Sequence, residues 1–180
     1  MAYACRGSLP APTSTKPSRR TSRRCGCSAD GGRCRWLATL LDDQTARDLH
    51  RAMFAAVWKW AGTYRLRDAN IGSHWPYISI EVRNLMADAL LWVTGTTPMP
   101  ADEAACRLHH QLVSIHPFPN GNGRHCREVA DVLLRALDTE AFTWGRTSLV
   151  EASRTRKIYI AALRRADDGD LDSLLDFARS

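Results

Sequence analysis

The sequence predicts an all-α domain, a helical bundle with one small β-hairpin excursion near residues 66–78. Three observations lead there. From Leu37 onward, apolar residues recur at three- and four-residue spacing in one stretch after another. Cap-forming residues, glycines and prolines punctuate those stretches where helices should start and stop. A single turn-rich segment, Tyr64 to Tyr77, breaks the helical pattern.

Asp42, Asp43 and Thr45 supply a cap and first-turn acids for the first regular helix. Leu49, Met53, Ala56, Val57 and Trp60 follow on one face until Gly62 ends it. Asn70, Gly72, Ser73 and Pro76 then sit between short runs of alternating polarity, which reads as a hairpin or an extended loop. Ser79 is a fitting N-cap for a helix that turns Leu85, Ala89 and Trp92 inward. After a loop from Gly95 to Pro100, Asp102 and Glu103 open a helix with the stripe Ala105, Leu108, Leu112 and Ile115. His116-Pro117 ends it, because a residue before proline disfavours the α region. A tight loop, Phe118 to Gly123, leads into a helix from about Arg124 to Leu137 with Val129, Val132, Leu133 and Ala136 inward. A loop around Phe142–Gly145, a long helix from about Leu149 to Arg165 and a short one from about Leu171 to Phe177 complete the domain.

The formal charge of +6 is unevenly distributed. Residues 1–36 hold eight Lys/Arg and one acid, whereas residues 37–180 hold 17 and 18. The folded part is therefore near neutral and offers no broad basic surface for nucleic acid. Residues 1–36 are rich in Ser, Thr, Pro, Arg and Gly and poor in large apolar residues. They read as a disordered basic tail or as an out-of-frame N-terminus, with a nucleic-acid-binding arm as a third reading. Cys25, Cys27 and Cys34 lack the usual spacing of a structural zinc site. No run of about 18 apolar residues occurs and no signal-peptide pattern is visible, so the expected location is cytoplasmic, without disulfides.

The segment from His116 to Arg127, HPFPNGNGRHCR, carries the chemistry. Gly121-Asn122-Gly123 opens a helix whose first amides have no intrahelical partner and whose dipole adds positive charge, an anion seat. Arg124 and Arg127, three apart, can face that seat. His116 lies across the loop, where a neutral imidazole can take a proton from an attacking hydroxyl. A base, an anion nest and two guanidiniums make a phosphoryl-transfer constellation. A metal site built from His109, His110, His116 and His125 is disfavoured, since adjacent helical residues point about 100° apart. The tryptophans at 58, 60, 75, 92 and 144 read mainly as core or loop anchors.

This segment resembles the Fic/Doc signature HxFx[DE]GNGRxxR, matching at His116, Phe118, Gly121, Asn122, Gly123, Arg124 and Arg127. RAMFAAVWKWAGTYR resembles the family's helix before its flap, and NIGSHWPYIS resembles the flap itself. HHQLVSIHPFPNGNGRH, FTWG and YIAALRRADDGD resemble the branch called mobile mystery protein B, over about Leu41 to Ala178. The resemblance implies a Fic-type domain over 37–180 that moves AMP from ATP to a target-protein hydroxyl. His116 would be the general base, with Pro117 and Phe118 structural. Gly121, Asn122, Gly123, Arg124 and Arg127 would hold the phosphates, and Asn70, Ile71, Gly72 and Trp75 would form the docking flap. The Doc branch, a phosphotransferase, carries Lys where this chain has Gly123, so AMP transfer is favoured. The resemblance also implies Mg²⁺ as cofactor. Asn120 stands where the family has the carboxylate that binds it, and a neutral amide is a weaker ligand, so weak metal binding is expected. A slow enzyme, or a nucleotide-binding and interaction module, is the alternative that Asn120 leaves open. No inhibitory [ST]xxx[ED][GN] motif is found. The branch implies a toxin–antitoxin-like setting on mobile elements, with a separate inhibitory or helix-turn-helix partner protein.

Overall fold

The computed structural model describes residues 29–146 and 152–180. Most of the expected tail, and the start expected for the long helix at Leu149, lie outside the described residues. The helices are α1 (Ala29–Leu40), α2 (Asp43–Phe54), α3 (Ile78–Thr94), α4 (Ala101–Ile115), α5 (Asn122–Ala136), α6 (Ala152–Asp167) and α7 (Asp172–Arg179). Residues 29–36, read from sequence as tail, form the first turns of α1. Arg33 there donates to the Ala136 carbonyl (3.2 Å) and pairs with Asp138 (3.1 Å).

The bundle is built around α4 and α5. Ala104, Ala105, Cys106, Leu108 and Leu112 of α4 are fully buried, as are Cys126, Ala130, Leu133 and Leu134 of α5. Alternation of small and branched residues lets the two helices approach closely, and each buried leucine contributes about 1.5–3 kcal/mol. The other helices wrap this pair through Leu37, Ala46, Val82, Leu85, Met86, Leu174 and Phe177. The paired arginine–carboxylate contact Arg179–Asp102 (Nε–Oδ2 2.8 Å) ties α7 to the start of α4.

Local signals explain most boundaries. Asp42 caps α2 by accepting from the Gln44 amide (2.9 Å). The expected inward face of that helix runs on too far. The helix gives way to turns after Phe54, its buried face is Ala46, His50 and Phe54, and Ala56 and Val57 are exposed, Val57 at 71%. Ser79 is not a cap. A 3-10 turn, Trp75–Tyr77, with Pro76 as its second residue, feeds straight into α3, and Ser79 sits exposed inside the helix.

The hairpin expected at 66–78 is absent, and no strand occurs among the described residues. The segment is a loop organised by one side chain. Arg65, 5% exposed, donates to the carbonyls of His116 (2.8 Å), Arg67 (2.9 Å), Ser73 and Ile115 (3.5 Å). The Ser73 amide donates to Ile115 O (3.1 Å). Backbone groups that a ladder would pair are here satisfied by a guanidinium and by the end of α4. No described helix is long and apolar enough to cross a membrane.

Candidate active site

α4 ends at Ile115, and His116 adopts the left-handed conformation (φ 54°, ψ 59°) rather than the extended one that a following proline favours. Two bonds hold it there: its amide donates to Leu112 O (3.2 Å) and its carbonyl accepts from Arg65. The Arg65 amide also donates to Pro117 O (3.0 Å). The loop behind is anchored by Phe118, fully buried and stacked on His50 at 3.7 Å between centroids, with His125 edge-on at 5.0 Å.

Asn122 closes the loop. Its Oδ1 accepts from the Phe118 amide (2.9 Å) and its Nδ2 donates to the Phe118 carbonyl (2.7 Å). That side chain, 3% exposed, is structural, and only the Asn122 backbone is left for a ligand. Gly121 precedes α5 with φ 82°, a conformation that favours glycine, and a Cβ there would come within 2.8 Å of Phe54. The first amides of α5 thus begin at an uncapped, positively polarised helix end.

His116, Asn120, Gly121, Asn122, Gly123, Arg124, Arg127 and Ile71 all border one cavity of about 910 Å³. Arg124 lies over the Phe54 ring at 4.7 Å, and Arg127 lies over Tyr159 at 4.5 Å. Gly72 packs against the back of His116, whereas Asn70 and Trp75 are exposed and do not border the cavity. Of the described residues bordering the cavity, four are arginines and none is a carboxylate. In a near-neutral domain this concentrates positive charge on one concave surface.

The His116 ring lines the cavity while its Nδ1 is buried without a hydrogen bond of ordinary geometry. Burial first, then the Arg65 charge, lowers its pKa below the ordinary value, and the Val113 carbonyl offsets this only in part. The ring is therefore neutral at pH 7 and able to accept a proton.

The other histidines do not form a metal cluster, and no such group occurs among the described residues. His109 meets the Tyr159 hydroxyl (3.0 Å), His125 donates from Nε2 to Ala46 O (2.8 Å), and His110 pairs with Asp167 (2.8 Å). Asn120 Oδ1 accepts from the Gly121 amide (2.7 Å). The buried thiols of Cys106 and Cys126 are pushed well above the ordinary range, Cys106 to about 12, so neither is a nucleophile.

A model of the Fic/DOC family matches residues 40–134, more than half of the chain. The chain belongs to the Fic/DOC family. Among curated relatives, protein adenylyltransferase fic-1 of Caenorhabditis briggsae is 30% identical over 113 residues, 62% of this chain and 21% of the relative. The probable protein adenylyltransferase aq_aa38 of Aquifex aeolicus is 34% identical over 94 residues, 52% of this chain and 26% of the relative. The chain thus spans about a quarter or less of these relatives. Among solved structures, Caenorhabditis elegans Fic-1 (residues 134–508) superposes with a TM-score of 0.60 at 22% identity, covering 83% of this chain and 46% of that one. BepC of Bartonella tribocorum, solved with bound AMPPNP, gives 0.56 at 18%, covering 83% and 82%. These superpositions establish the all-helical Fic fold.

Sequence reasoning missed His50, Arg65 and Asp131, and the arginines Arg146 and Arg156 that border the cavity. Only the apolar context of His50, on the inward face of α2, carried a signal.

Proposed function

We propose that this Fic/DOC chain is a protein adenylyltransferase that transfers AMP from ATP to a hydroxyl side chain of another protein. One observation carries the reading: a neutral histidine borders the same cavity as an uncapped helix N-terminus and two motif arginines.

His116 takes the proton of the target hydroxyl as its oxygen bonds to the α-phosphorus. The bond from that phosphorus to the β-bridging oxygen breaks, and pyrophosphate leaves with its charge balanced by Arg124 and Arg127. The α5 amides stabilise negative charge on the transferring phosphoryl. Phe118 and Asn122 keep the loop in register from behind. Ile71, exposed beside the cavity, offers an apolar contact for the target segment.

The described residues bordering the cavity do not fit a Mg²⁺ held by the protein. Among the described residues no carboxylate borders the cavity, and the Asn120 amide oxygen already accepts from Gly121. The arginines carry the charge stabilisation instead.

The test is α-labelled ATP with a cell lysate, beside a γ-labelled control and His116→Ala. Label from the α position that disappears in His116→Ala is expected. Label only from the γ position would mean phosphotransfer, and ATP binding without label would favour a nucleotide-sensing module. That second reading rests on the engaged Asn120 amide, and a large gain of transfer in Asn120→Asp would identify it.

A further inference from the structure

Arg127 is held in an unusual way for a half-buried guanidinium. Its Cζ lies 4.5 Å from the Tyr159 ring centroid and 5.5 Å from that of Trp144. Its Nε is buried and makes no hydrogen bond, and no carboxylate pairs with it among the described residues. Both rings border the cavity.

Each ring is tethered by a buried polar group. Trp144 Nε1 donates to both carboxylate oxygens of Asp131, at 3.1 Å each, and Asp131 also accepts from the Phe142 amide (3.1 Å). The Trp144 amide donates to Ala178 O (2.9 Å), which holds this residue at φ 54°, in the left-handed region. The Tyr159 hydroxyl meets His109 Nε2 (3.0 Å), and the His109 ring packs on Trp144 at 4.5 Å. The two tethers therefore form one continuous unit around the arginine.

A carboxylate in place of these rings would orient Arg127 equally well and cancel its charge. Ring faces orient a guanidinium and leave its charge uncompensated. Resting on the reading of Arg127 as a phosphate ligand, we propose that Trp144 and Tyr159, fixed by Asp131 and His109, are positioning residues that present an unneutralised Arg127 to the outer phosphates of a nucleotide.

The proposal is selective. It concerns ligands that extend beyond the α-phosphate, so ATP and ADP should feel the clamp and AMP should not. Calorimetric titration of the protein with ATP, ADP and AMP, for wild type, Arg127→Gln, Tyr159→Leu and Tyr159→Phe, tests it, with circular dichroism confirming the fold. Arg127→Gln and Tyr159→Leu should weaken ATP about tenfold or more and leave AMP within about twofold. Tyr159→Phe keeps the ring face and loses the tether, so it should lie between wild type and Tyr159→Leu for ATP, again sparing AMP. If Tyr159→Leu does not fold, the Tyr159→Phe selectivity decides alone. Equal weakening of all three nucleotides, or no weakening of ATP, overturns the proposal. Absence of AMP transfer with the selectivity intact would sink the transferase reading and support this one. Active transfer with unaltered selectivity would do the reverse. A wild type that binds none of the three nucleotides overturns both.

Discussion

A Cβ placed on Gly72 would lie 2.6 Å from the Cβ of His116. The loop before α3 thus touches the proposed base directly, backbone against side chain, with Gly72 at φ 96°. Gly72→Ala must displace either the loop or the histidine, and its φ adds strain of about 1 kcal/mol. The expected result is a fall of at least tenfold in kcat for AMP transfer, with KM for ATP changed less than about threefold. Initial rates over an ATP series decide it, and an unchanged kcat would separate the loop from catalysis.

Arg65 acts on both geometry and charge. Arg65→Met leaves the carbonyls of His116, Arg67 and Ser73 without their buried donor, and should destabilise the fold by about 2–4 kcal/mol in urea unfolding. It also removes the positive charge that helps hold the His116 pKa down. Without that charge the imidazolium is less disfavoured and the pKa rises. The acid limb of the pH–rate profile should therefore move to higher pH in the variant. A limb that stays in place would mean that Arg65 does not reach the titrating group.

The two motif glycines should behave oppositely. Gly121→Ala meets Phe54 and Trp58 and has φ 82°, so it should cost stability as well as nucleotide binding. A Cβ on Gly123 meets nothing within 4 Å. Gly123→Ala should leave thermal stability unchanged or raise it by up to ~1 kcal/mol. If phosphates approach this backbone closely, it should still weaken ATP binding by tenfold or more. Thermal melts paired with titrations separate the two effects.

Stability should fall in mild acid. Burial lowers the pKa of His109 to about 3 and that of His125 to about 4. A lowered histidine pKa means that the unfolded chain binds the extra proton below its own ordinary value of about 6.5, so the stabilisation present above that pH is lost as pH drops through the window. At pH 5 each of these histidines should remove about 2 kcal/mol relative to pH 7. Chemical denaturation at both pH values measures this. His125→Gln should flatten the dependence.

The loop from His116 to Arg127 was legible because its information is local. Helix stop, glycines and arginines follow one another within 12 residues, and the structure brings them around one cavity. The α4 and α5 stripes were legible for the same reason, since Ala105, Leu108, Leu112 and Leu133 sit at helical spacing and are buried. Alternating polarity after Tyr64 suggested a hairpin. The pattern could not reveal that Arg65 would satisfy carbonyls about 50 residues away at Ile115 and His116 in place of a second strand. Val57 failed in the opposite sense: it continued the α2 periodicity after the helix itself had stopped.

His50 bears on how the site comes into being. Its Nδ1 accepts from the Gly62 amide (3.0 Å), which leaves Nε2 to donate to the Asn120 carbonyl (3.1 Å) while the ring lies on Phe118. The anion-binding loop is thereby assembled from segments 70 residues apart, and its closure must wait until α2 has docked. During refolding, hydrogen-exchange protection at residues 118–124 should appear with the last cooperative step rather than with the first helices. A peptide spanning the motif alone would have the right letters and no receptor.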